Sequence, residues 1–256
     1  MLARPPLSPG DVVTTLKHFA IVTYAVDPER IRPHVHPRFD LENFTGEDGL
    51  AKAWVSMVPF EDQGFRFAGV PWFTFRFGQT NYRTYVIDRA TGQRLVWFFG
   101  TTLGSWTVAI PRWVWKLPWH PGHVEFDCSF DAARQCYTHY RMTTRANWAP
   151  VELALEDTGQ AVTALPGCVN LEAGLVILTH PLFGVFYRRD GALGRYNIWH
   201  NRLRLSTGTC LHARIGLFDR LGIVPFAEQL QPHSILLQHH TEFTIYLPPR
   251  RLSERD

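Results

Sequence analysis

Two arginines stand among large apolar neighbours, Arg83 in Asn81-Tyr82-Arg83-Thr84-Tyr85 and Arg112 in Ile110-Pro111-Arg112-Trp113. A guanidinium stays charged and presents a planar fork that matches a carboxylate, so two of them lining one pocket would hold an organic acid. An internal ion pair or a snorkelling stem accounts for the same arginines without any ligand. Asn81 and Tyr85 share the strand face of Arg83 by the two-residue period, placed to orient a ligand or one another. His200, after Trp199 in an expected strand, is the best-placed group for moving a proton, with a buried imidazole satisfied by a backbone carbonyl as the simpler alternative. His120 and His123 make an HxxH spacing, and His34 and His36 an HxH. No cysteine or carboxylate stands at a spacing that completes either set, so no metal is expected.

The elements that would carry these groups read mainly as strands. His18 to Val26 is β-branched and alternating, and Asp27-Pro28-Glu29 then starts a short helix that ends near Pro33 or Pro37. Phe39 to Phe44 and Leu50 to Phe60 flank Gly46-Glu47-Asp48-Gly49 as a hairpin. Thr74 to Ile87 and Arg94 to Thr101 form another around Asp88 to Gln93. Ser105 caps a helix through Trp106, Trp113 and Trp115, kinked at Pro111 and ended by Pro118. Val124 to Phe130 alternates cleanly, with Gln135 to Thr144 pairing back. Val151 to Leu155 alternates as well, Val169 to His180 reads as a helix, and Phe183 to Arg188 pairs with Arg195 to Leu203. Ser234 to Leu247 is the last strand. Strands in hairpin order with a few inserted helices predict an α+β chain that is mainly antiparallel, its sheet closed on itself as a barrel.

Composition narrows the function classes. The 256 residues are 45% hydrophobic and 19% charged, enough apolar material for a single core, with residues 18–248 read as one domain between tails at 1–17 and 249–256. The formal charge is +3, and the 23 arginines and 3 lysines are scattered, so no nucleic-acid partner is expected. No phosphate-cradling glycine loop appears, and no cofactor is expected. Cys128, Cys136, Cys168 and Cys210 form no CxxC pair and read as free thiols in a cytoplasmic protein, although Cys128 and Cys136 might meet across a hairpin. The first ten residues carry three prolines and no apolar core, and Leu95 to Pro111 is too short and too interrupted to span a membrane.

Certain blocks point to a family. Val26-Asp27-Pro28, Trp54 to Phe60, Asn81 to Val86, Trp97-Phe98-Phe99, Ile198-Trp199-His200 and Pro232-His233-Ser234 follow one another as in the YqjF-like bacterial proteins, a domain of unknown function in the acetoacetate decarboxylase-like superfamily. The chain resembles that family over residues 18 to 248. The resemblance implies a β-barrel or double cone around a pocket for a small organic molecule, and a homo-oligomer is compatible with it. It also implies where a decarboxylase would keep its imine lysine. Acetoacetate decarboxylase has an arginine and, six residues later, a proline followed by two lysines. This chain has Arg112 and Pro118, then Trp119 and His120.

An imine needs a neutral amine, which neither indole nor imidazole supplies. The family block also usually carries a glutamate where this chain has Gln79, which hydrogen-bonds but exchanges no proton near neutral pH. Lys116, three residues before Trp119, is either a displaced nucleophile or a solvated lysine near a helix end. The tryptophans at 106, 113, 115 and 119 would suit a hydrophobic ligand wall or a membrane-interface belt, with core packing the expectation for most of them. The resulting expectation is a small anionic organic ligand held by Arg83 and Arg112, with Gln79, Asn81, Tyr85 and Trp119 around it. The alternative is a lysine-independent lyase or hydratase on a keto or carboxylic acid, moving a proton with His200 or His120.

Overall fold

The computed structural model describes residues 3–46, 48–179 and 182–252. Fourteen strands follow in chain order: β1 (Val12–Val26), β2 (Phe39–Leu41), β3 (Asn43–Thr45), β4 (Ala51–Phe67), β5 (Phe75–Asp88), β6 (Arg94–Leu103), β7 (Trp119–Pro121), β8 (His123–Asp131), β9 (Cys136–Arg145), β10 (Val151–Ala161), β11 (Phe183–Tyr187), β12 (Leu193–His200), β13 (Ser206–Ile215) and β14 (Ser234–Arg251). Four short helices interrupt them: α1 (Pro28–Ile31), α2 (Ala109–Val114), α3 (Leu171–Thr179) and α4 (Gly216–Arg220).

Seven strands close a barrel in the order β1-β4-β5-β6-β11-β12-β14, because β14 returns to pair with β1 from Val12↔Ile245 to Thr23↔Ser234. The pairing of β6 with β11 is parallel and the other barrel pairings are antiparallel. Beyond β14 the sheet runs on through β13, β10 and β9 to β8 and wraps over the outside of the barrel. Alternation along the shared strands separates two cores. Leu16, Ile21, Val58, Phe60 and Tyr85 turn into the barrel. Val22, Tyr24, Met57, Tyr82 and Val86 turn outward onto Tyr140, Met142 and Leu153 of the outer sheet. At Gly78 on β5 a side chain would not fit, since a Cβ there would lie 2.7 Å from Val124 of β8.

Local chemistry sets several boundaries. The Asp27 carboxylate accepts the Glu29 amide at 2.9 Å and Pro28 opens α1, a capped start that needs no preceding donor. The tryptophan-rich segment forms a single 3-10 turn over Trp106–Val108 and then α2, which stops before Lys116 in a left-handed conformation. Three features differ from the sequence reading. β1 already starts at Val12 and β14 runs to Arg251, so the sheet takes in parts of both stretches read as tails. β13 has no counterpart in that reading; of its residues only Ala213 and Ile215 are buried, too few for a clear alternation. Cys128 lies opposite Tyr140 and Cys136 opposite Asp131, so the two thiols do not meet and all four cysteines are free.

Candidate functional site

Inside the barrel, β5 and β12 deliver Arg83 and His200 to one end of one helix. Arg83 donates from Nη2 to the carbonyl of Leu178 at 2.8 Å. The Nε2 of His200 lies 2.6 Å from the carbonyl of the next residue, Thr179. These are the last carbonyls of α3, which have no partner within the helix and form its negative end. α3 carries no basic residue in its last turn, so Arg83 supplies the cation from another element.

His200 is clamped on its other side by the Asn201 carbonyl, 2.7 Å from Nδ1, and its ring lies parallel to Phe243. Both ring nitrogens of His200 thus face backbone carbonyls. Arg83 lies with its guanidinium carbon 5.6 Å from the centre of the Tyr85 ring. Its Nε is buried without a partner, and so is the hydroxyl of Thr241, a residue only 4% exposed. Arg83, His200 and Thr241 all border the same narrow space of about 30 Å³ under α3. That volume holds roughly one water.

The other residues singled out by the sequence lie elsewhere. Gln79 donates to the Asn81 side-chain oxygen at 3.0 Å, which also takes the Thr101 hydroxyl at 2.8 Å. Asn81, Thr101 and Trp119 are register partners in a row across β5, β6 and β7, with Trp119 buried in the barrel core. Tyr85 is tied by its hydroxyl to Ser56 at 2.9 Å, and Ser56 to Thr23 at 2.9 Å. Arg112 donates to the Trp119 carbonyl at 2.5 Å and is 3.5 Å from Nδ1 of His120. None of Gln79, Asn81, Tyr85, Arg112, Trp119 and His120 borders the space between Arg83 and His200.

His120 stacks on Trp148 with ring centres 3.9 Å apart. Burial, and then the cations of Arg112, Arg189 and Arg220, push its pKa down to about 4, so it is neutral at physiological pH. Lys116 holds its ammonium 5.7 Å from the exposed ring of Trp113, and Lys52 pairs with Asp48 at 2.8 Å. Neither these lysines nor Lys17 borders the space under α3. His123 pairs with Glu125 and His34 reaches the Leu221 carbonyl. Among the described residues no three His, Cys, Asp or Glu side chains group to hold a metal, and no helix is long and apolar enough to cross a membrane.

Sequence reasoning did not single out Thr241 or the end of α3. Thr241 is one hydroxyl among many in a strand, and a helix terminus bonded to residues far away in the chain leaves no local signal.

The family model DUF2071, described as "Uncharacterized conserved protein", matches residues 13–241. No curated protein matches the sequence. Among solved structures, acetoacetate decarboxylase from Legionella pneumophila superposes with a TM-score of 0.63 at 12% identity, covering 99% of this chain and 92% of that one. The enduracididine biosynthesis enzyme MppR complexed with pyruvate gives 0.63 at 13% identity, with 98% and 93% covered. An acetoacetate decarboxylase-like enzyme from Sphingomonas wittichii gives 0.62 at 9% identity, with 96% and 94% covered. The fold is therefore that of the acetoacetate decarboxylase-like proteins, as the resemblance implied.

Proposed function

We propose that this chain, which belongs to the DUF2071 family, binds a small organic carboxylate inside its barrel on Arg83, His200 and Thr241, without imine chemistry. One observation carries the reading. Two residues that border the same space as His200 each hold a buried donor without a partner, Arg83 at Nε and Thr241 at its hydroxyl. Buried polar groups are nearly always satisfied, and each orphan costs about 1–3 kcal/mol, so a pair bordering one space fits a site that is completed by a ligand or water.

The space is too small for an organic acid while α3 stays in place. A carboxylate would take over the donors that now serve the Leu178 and Thr179 carbonyls. Arg83 makes a stronger hydrogen bond to a full negative charge than to a carbonyl dipole, which works against the cost of freeing the Leu178 and Thr179 carbonyls. Arg112, bound to the Trp119 carbonyl, has no part in this site. Where the relatives' imine lysine is expected, the buried Trp119 offers no amine.

The placement of His200 beside Arg83 favours a second reading. In it Arg83 polarises a carboxylate or carbonyl and His200 moves a proton, as in a lyase or hydratase. His120 is not available for that role, being stacked on Trp148 away from the space.

Calorimetric titration with pyruvate, chosen because a structural neighbour holds it, and with acetoacetate tests the binding reading. Saturable binding is expected in the wild type and its loss in Arg83→Ala. Acetone binding as tightly as pyruvate, or an alanine variant that binds unchanged, rejects the reading. Borohydride added to the pyruvate mixture is expected to leave every lysine unmodified, and a reduced adduct on any of them restores the imine.

A further inference from the structure

We infer that the open groove outside residues 201–205 is a second carboxylate-binding site and the antechamber of the barrel space, with Arg202 and Arg204 as its anion-holding groups. The antechamber role rests on the barrel reading above; the anion site does not.

The groove encloses about 610 Å³ between this segment, the 237–242 stretch of β14 and the tip of the β8–β9 hairpin at Phe130 and Gln135. The 201–205 segment links β12 to β13 and belongs to no strand. From His200 onward its residues divide between two sides. His200 and Leu203 border the inner space, whereas Asn201, Arg202 and Arg204 border the groove. Thr241 borders both. The partition between outside and inside is thus one chain thick, and its inner face carries the proposed ligand group His200.

The charge on the outer face is uncommitted. Elsewhere arginines hold carboxylates, as Arg89 holds Asp40 and Arg145 holds Glu125. Among the described residues the guanidinium groups of Arg202 and Arg204 have no such partner. The two carboxylates bordering the groove are already engaged. Asp157 accepts the Tyr137 and Gly159 amides, each at 2.9 Å, and Glu242 accepts the Asn201 side chain at 3.2 Å. His239, stacked on Phe130 with centres 4.0 Å apart, gives one wall a flat face. Two guanidinium forks over a concavity of this size suit a small carboxylate, and they offset the Asp157 and Glu242 charges that would otherwise repel it from the partition.

Arginine Nε–H correlations in an NMR titration with pyruvate test both parts. The signals of Arg202 and Arg204 are expected to move saturably, at pyruvate concentrations at least tenfold below those that move the exposed Arg134 and Arg250, and to do so also in Arg83→Ala. Movement in step with Arg134 and Arg250 overturns the site, and a response to inorganic phosphate at lower concentration than to pyruvate overturns its assignment to carboxylates. In the R202Q/R204Q double variant, whose changes lie on exposed side chains, the association rate at Arg83 is expected to fall about tenfold or more. An unchanged rate overturns the antechamber. A response at Arg83 alone rejects the groove and leaves the barrel site standing, whereas a response at Arg202 and Arg204 alone rejects the barrel site and the antechamber together.

Discussion

Arg83 and His200 reach adjacent carbonyls, those of Leu178 and Thr179, from strands separated by β6 and β11 in the barrel. Both hydrogen bonds fall on the last turn of α3, so the end of that helix unites the two residues. Truncating Arg83→Ala removes a charge-assisted donor and leaves the Leu178 carbonyl without its partner, a loss of about 1.5–3 kcal/mol. The urea midpoint is expected to fall with the m-value unchanged, and amide exchange in α3 to speed up more than in the barrel strands. Unchanged exchange in α3 means that Arg83 does not hold the helix.

Thr241→Val separates stability from binding. Its hydroxyl is buried without a partner, so replacing it with a methyl should leave the melting temperature equal or raise stability by up to about 1 kcal/mol. The same change removes a donor from the proposed carboxylate, and the pyruvate Kd should rise about fivefold or more. A clear loss of stability with unaltered affinity reverses both expectations.

Asp62 makes the fold lose stability as pH rises from about 4 to 7. Its Oδ1 takes the Thr14 hydroxyl at 2.9 Å while Oδ2 is buried without a partner. Burial, reinforced by Glu61 and partly offset by the Thr14 hydrogen bond, pushes its pKa up to about 7. The folded protein therefore keeps the proton that the unfolded chain has lost. The stabilisation is complete below the ordinary carboxyl range near 4 and is lost as pH rises through 7, on the order of 4 kcal/mol at most. Asp62→Asn should flatten the melting temperature between pH 4 and 7 and exceed the wild type at pH 8, and parallel melting curves for the two proteins would show that Asp62 is ionised in the fold.

His18 acts in the opposite direction. It has a φ of 53°, interrupts the pairing of β1, and its Nδ1 lies 3.1 Å from the Tyr137 hydroxyl. Burial first and then Lys17 push its pKa down to about 4. A depressed histidine contributes stability above about 6.5 that disappears as pH falls through 4. Asparagine tolerates the left-handed backbone, so His18→Asn should lose less melting temperature than the wild type between pH 6.5 and 4.5. His120, lowered similarly, accounts for part of what remains, and an identical decline in both proteins clears His18 of the effect.

Much of the architecture was legible because alternation is a local signal. The hairpin of β5 and β6 and the helix at α3 lie close to where apolar spacing and turn residues put them. The family blocks around Asn81 and His200 already imply the barrel. What spacing did not reveal is long-range bonding. Arg112 and Arg83 look alike in sequence, yet α2 turns Arg112 to the Trp119 carbonyl while β5 turns Arg83 to α3. Thr241 stands out only once its hydroxyl is seen without a partner. Arg202 and Arg204 are ordinary loop arginines until their neighbours His200 and Leu203 are found on the other side of the same segment.

A crystal structure of the protein soaked with pyruvate tests the central claim most directly. The expected density is a carboxylate within hydrogen-bond reach of Arg83 and the Thr241 hydroxyl, with the Leu178 and Thr179 carbonyls displaced from their present donors. A barrel space holding only water, with Arg83 and His200 still bound to the end of α3 at saturating pyruvate, contradicts it.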